Sequence, residues 1–82
     1  MDLSLALAYL GAGLGVAGAT MGGGYGIGKL AGAAMESVAR QPEAVGDIRG
    51  MMILTAAMIE GIALFAIVVC VLLIFMSKTV GA

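Results

Sequence analysis

The sequence predicts an all-α fold, a hairpin of two antiparallel membrane-spanning helices, and three observations predict it. Two runs of 26 residues, 3–28 and 51–76, carry no charge except Glu60 in the second. At about 1.5 Å of rise per residue each is about 39 Å long, more than the ~30 Å of bilayer hydrocarbon. Six of the nine charged residues instead gather in residues 29–50, between the runs. Finally, 82 residues of which 62% are hydrophobic and 11% charged would coat a soluble chain in exposed apolar surface.

The first helix is expected over residues 3–39. It does not read as a secretory signal, because Asp2 stands where a basic n-region belongs and the apolar run is too long for an h-region. Residues 31–39 continue the helix out of the membrane. Pro42 disfavours helical dihedrals at Gln41 and is itself at home in a first helical turn. Glu43 follows, where a carboxylate favours the positive end of the helix dipole. The turn is therefore residues 40–43 and the second helix 44–77, one hairpin unit over 1–82. Three of the four basic residues, Lys29, Arg40 and Arg49, lie on the loop side against Lys78 at the other. That asymmetry puts the loop in the cytoplasm and both termini outside.

Ten of the fourteen glycines fall in residues 11–32. Each costs roughly 1 kcal/mol relative to alanine in a soluble helix, but membrane helices associate through close backbone approach, which small residues permit. At 100° per residue Gly11, Gly15, Gly18, Gly22 and Gly26 share one side, while Gly13, Ala17, Gly24 and Gly28 lie about 150° away. Two smooth faces imply two close neighbours, and a closed ring of identical subunits supplies them.

Composition excludes several classes. There is no basic patch to bind nucleic acid. Cys70 has neither a cysteine partner nor a histidine in the chain, so disulfide and zinc frameworks are excluded within one copy and Cys70 reads as a packing or lipid-facing residue. No cofactor or metal site is expected. Gly22-Gly23-Gly24 lies within the membrane without the Lys-Ser/Thr pair of a phosphate loop.

Glu60 carries the chemistry. A charged side chain at the bilayer centre costs at least ~3 kcal/mol on insertion scales, so a chain that keeps one uses it to handle an ion. Counting back symmetrically from the turn puts Glu60 level with about Gly26, with Gly23, Gly26 and Ile27 as neighbours across the hairpin. Three and four residues along its own helix lie Ala56, Ala57, Ala63 and Leu64, which leave space and almost no hydrogen-bonding side chain. Such a carboxyl is expected to pass through lipid as the neutral acid and to ionise only where a partner supplies a counter-charge. Neither span contains a basic residue to do so, which points to a partner protein. Thr20 and Thr55 are expected to bond back to their own helices, Tyr9 and Tyr25 to serve at interfaces, and the methionines to fill gaps between helices.

These residues resemble the proteolipid c-subunit family of F-type ATP synthases over nearly the whole chain. The resemblance is carried by Gly22, Gly24, Gly26 and Gly28, by Glu36-Ser37-Val38-Ala39-Arg40-Gln41-Pro42-Glu43, and by Glu60 between Ile59 and Gly61. It implies a homo-oligomeric ring in lipid, turning against the membrane stator, whose a-subunit carries an arginine that pairs with each ionised carboxyl in passing. It also implies contact of Arg40-Gln41-Pro42 with the gamma and epsilon components of the central stalk. The expected setting is an energy-transducing membrane such as the bacterial inner membrane.

Sodium-carrying members of that family place a glutamine where this chain has Ile27 and a hydroxyl residue where it has Gly61. Sodium needs several oxygens around it, so protons are the expected cargo and a sodium-coupled ring the alternative. A tyrosine found five residues after the acid in some proton-carrying members is here Phe65, leaving backbone carbonyls or a water to bond Glu60. The chain alone, with no nucleotide motif and no nucleophile with a base, is expected to be a non-catalytic part of the complex. The rival class is a small autonomous exporter or pore built around one acid. An exporter would gather aromatic residues about it, and only Phe65 is near.

Overall fold

The computed structural model describes residues 2–80, two long helices joined by a short turn. Helix α1 spans Leu3–Arg40 and α2 spans Val45–Val80, with Pro42–Ala44 forming one turn of 3-10 helix between them. The hairpin measures 60 × 15 × 8 Å, longer than the ~30 Å of bilayer hydrocarbon. Both helices are long and apolar enough to cross a membrane.

Local chemistry sets the ends. Asp2 caps α1: its Oδ1 accepts the Leu5 N–H at 2.7 Å while its carbonyl accepts the Ala6 N–H at 3.0 Å. At the other end Gln41 adopts φ −134°, ψ 72°, the non-helical backbone that a following proline enforces. Its N–H still donates to the Ser37 carbonyl and its own carbonyl accepts from Ala44, both at 2.9 Å. One non-helical residue therefore reverses the chain with these backbone groups satisfied. Relative to the sequence-based limits, α1 takes in Arg40, and α2 starts at Val45 and continues to Val80. Differences of this size are usual at helix ends, where fraying and 3-10 turns blur the boundary.

The helices meet along one seam, in which half-buried residues recur every three or four positions, the period of a helix. Three glycines fix its register. A Cβ built on Gly15 would lie 2.6 Å from Cys70 Sγ, one on Gly23 3.2 Å from Ala63 Cβ, and one on Gly26 3.6 Å from Ile59 Cδ1. The eleven residues from Gly15 to Gly26 are matched by eleven from Cys70 back to Ile59, about three turns on each helix, so one register holds throughout. No described glycine has a positive φ, so close approach rather than backbone freedom is what these glycines supply. Cys70 is a packing residue, seated over Gly15.

Gly15 and Gly26 thus pack on α2 of their own chain, not on the face assigned to a neighbouring copy. A helical wheel orders residues around the axis but does not say which sector meets the partner helix. Gly11, Gly13, Gly18, Gly22, Gly24 and Gly28 have nothing within 4 Å of a built Cβ and stay open on the surface. Among the described residues only Ala12 and Ala34 are buried. The large apolar side chains point outward, Leu14, Met21, Ile62 and Phe65 among them, and Met35, Met51 and Met58 are likewise on the outer surface and not in the seam.

Candidate functional site

Glu60 stands at mid-length of α2, exposed on the single chain, on one flank of the seam. There the helices part to leave a hollow of about 670 Å³, lined by Thr20, Gly23, Gly24 and Ile27 of α1 and by Ala57, Glu60, Gly61, Ala63 and Leu64 of α2. A second hollow of about 310 Å³ lies toward the turn, lined by Ile27, Leu30, Ala31, Met52, Ile53, Ala56 and Ala57, and again by Glu60. The two form one furrow, because residues 20, 24, 27 and 31 of α1 and 53, 57, 60 and 64 of α2 recur at helical spacing along the same flank. The carboxyl sits where the hollows join.

The furrow's volume comes from missing side chains. Gly23, Gly24, Gly61, Ala57 and Ala63 surround the acid, and bulk returns at Ile27, Leu64 and Ile67 in the larger hollow and at Leu30, Met52 and Ile53 toward the turn. Its side-chain polarity comes from two groups, the Glu60 carboxyl and the Thr20 hydroxyl. Ile27 and Gly61 are both in its wall, and neither supplies a side-chain oxygen. Among the described residues no three His, Cys, Asp or Glu side chains gather as a metal would require. The arrangement suits a single carboxyl that gains and loses one proton, or pairs with a cation brought to it from outside.

Of the expected neighbours, Gly23, Ile27, Ala57, Gly61 and Ala63 all line the furrow. Gly26 does not. It has the expected level but faces Ile59 across the seam, because counting residues from the turn fixes height along the axis and not direction around it. Thr20 and Gly24 take its place, and stepping back three and seven residues from Ile27 along the same helical stripe would have found both. Neither threonine bonds back to its own helix: among the described residues no hydrogen bond engages the Thr20 or Thr55 hydroxyl. Threonine divides between two rotamers in a helix, and only one reaches the preceding turn.

The open glycines occupy both flanks. At 100° per residue Gly13, Gly24 and Gly28 fall on the flank of Glu60, and Gly11, Gly18 and Gly22 on the opposite one. Tyr25 lies on the outer surface of α1, 68% exposed, with Lys29 Nζ 5.6 Å from its ring centroid. At the hairpin tip Arg40, Gln41 and Pro42 are all exposed. The Arg40 guanidinium lies 3.9 Å from Glu36 in an exposed pair that adds little stability. The tip is 18 residues from Glu60, about 27 Å along the chain, so the turn and the carboxyl lie far apart.

A family model for the ATP synthase c-subunit matches residues 10–73, which take in most of α1, the turn and α2 beyond Glu60. The ATP synthase c-subunit of Phocaeicola vulgatus is 60% identical over 70 residues, 85% of this chain and 83% of that protein. That of Bacteroides thetaiotaomicron is 55% identical over 73 residues, 89% and 86% of the two chains. That of Synechococcus sp. is 42% identical over 80 residues, 98% of each. With an all-helical hairpin of two membrane-spanning segments and a match running across both helices and the turn, this chain belongs to the ATP synthase c-subunit family.

Proposed function

We propose that the chain is a rotor-ring component of an F-type ATP synthase in which Glu60 binds and releases protons, so that ion flow turns the ring and drives ATP synthesis or is driven by hydrolysis. The observation that carries this reading is the furrow: one ionisable side chain at mid-membrane in a wall of glycine, alanine and aliphatic residues. Neutral, the acid travels through lipid at small cost. Ionised, it needs a cation that its own chain lacks in both spans, which the arginine of the stator's a-subunit would provide.

Copies of the hairpin join side by side through the open glycine stripes on the two flanks, which allows a ring with lipid around it. The exposed Arg40-Gln41-Pro42 tip meets the gamma and epsilon components of the central stalk on the cytoplasmic side, and both termini lie outside. The chain itself is non-catalytic and carries no cofactor. Protons, not sodium, are the cargo, since Ile27 and Gly61 offer no side-chain oxygen to a metal cation.

The test is Glu60→Gln, close in shape and unable to ionise. Rings should assemble and proton flow in reconstituted vesicles should fall to background. Proton uptake at the normal rate would remove the assignment.

A further inference from the structure

The two flanks of the hairpin differ in charge near the turn. Arg49 precedes Glu60 by eleven residues, about three turns, so it lies on the flank of Glu60. Asp47 is two residues from Arg49 and about 200° around the same helix, on the opposite flank. Glu36 follows Gly18 by eighteen residues, about five turns, and shares that opposite flank with the open glycines. Their heights agree as well. Carrying the register ten residues toward the turn from Gly26 opposite Ile59 sets Glu36 level with Arg49, and Asp47 is about 3 Å away in height. All three side chains are exposed. Among the described residues no ion pair within the chain engages Arg49 or Asp47, and Glu36 has the 3.9 Å contact with Arg40.

Residues two apart on a helix do not face each other, so Arg49 and Asp47 cannot pair within one copy. A second copy set against the glycine stripes at the same height brings them together, because helices packed about 8–10 Å apart leave facing flanks within reach of an arginine side chain. The stripes alone do not fix that height. Their glycines recur at helical spacing, so sliding one copy by four residues, about 6 Å, still lets the backbones approach. Charge removes the freedom. One such slide leaves Asp47 about as near but exchanges Glu36 for Arg40, which sets like charge against Arg49. The opposite slide carries Asp47 about 9 Å away in height and puts Gly32 at the level of Arg49, with no partner to offer.

We infer that Arg49 of one copy pairs with Asp47 and Glu36 of the next, a charge clasp at the turn end of the junction that holds adjacent hairpins level. This rests on the side-by-side ring proposed above. Its consequence is that every Glu60 in the ring stands at one height, a choice the glycine stripes do not make.

The test is a double-mutant cycle in the intact complex: Arg49→Gln, Asp47→Asn and the two together, read as detergent-stable rings recovered per hairpin in the membrane. At low ionic strength Arg49→Gln should lower recovery by about twofold to fivefold, the factor carried by an exposed ion pair, and adding Asp47→Asn should cost little more. In about 1 M salt parent and variants should converge. Placement between copies is read from the reversals Asp47→Arg and Arg49→Asp. Each should lower recovery when made alone, and the two chains, differently tagged and made together, should form mixed rings in higher yield than either by itself. Arg49→Gln rings as abundant as the parent's, losses that multiply independently in the double variant, or reversals that do not recover on co-expression overturn the inference. Recovery of no ring from the unsubstituted chain would instead remove the ring on which it stands.

Discussion

Replacing Gly23 by alanine should loosen the hairpin close to the level of Glu60. The new Cβ would stand 3.2 Å from Ala63 Cβ, several tenths of an ångström inside ordinary contact, and a methyl has no rotamer by which to withdraw. The backbones must separate, a small-to-large strain of about 1–3 kcal/mol, offset by the ~1 kcal/mol gained when alanine replaces glycine in a helix. Gly26→Ala is the internal control, because its Cβ meets Ile59 at 3.6 Å, a normal contact, leaving only the gain. Gly15→Ala lies between, since its 2.6 Å clash is with the Cys70 thiol, which can swing aside. Thermal disassembly of the purified complex in detergent should therefore rank Gly23→Ala below Gly15→Ala and Gly15→Ala below Gly26→Ala. Adding Ala63→Gly to Gly23→Ala should restore most of the loss, and this coupling isolates the contact within one hairpin from those between copies. If Gly26→Ala costs as much as Gly23→Ala, or if Ala63→Gly gives no rescue, the register derived from the three glycines is wrong.

A Cβ at Gly22 or at Gly24, one on each flank, meets nothing in the single chain, so Gly22→Leu and Gly24→Leu should both reach the membrane yet lower the yield of detergent-stable rings; normal yields from both would remove the stripes as the meeting surface. Arg40→Ala or Gln41→Ala should weaken attachment of the catalytic head, measured by co-purification, while Glu60 still reacts with carbodiimide, and loss of that reaction with the head attached would contradict two separate sites. Added sodium should leave the carbodiimide rate unchanged at fixed pH and ionic strength, whereas saturable protection by sodium but not potassium would reverse the choice of ion.

Much of the hairpin was legible in the sequence because its determinants are local. Pro42 dictates the backbone at Gln41, the two long apolar runs dictate the spans, and the level of Glu60 near Gly26 follows from equal rise on two helices leaving one turn. Direction around the helix was not legible. Gly15, Gly23 and Gly26 are chemically identical to Gly11, Gly22 and Gly24, and only the seam, set by Cys70, Ala63 and Ile59 on α2, separates the inward from the outward set. The same gap hid Thr20. Its number places it two turns from the acid, and nothing in the sequence shows that it shares the acid's flank or that its hydroxyl forgoes its own helix.

The burial of Ala12 and Ala34 alone among the described residues means that this hairpin has almost no interior to lose. Its melting temperature is accordingly a property of the assembly, rising with the ratio of protein to lipid as mass action favours association over dilution. A hairpin made in excess of its partners would remain an orphan, its glycine flanks open to quality-control proteases.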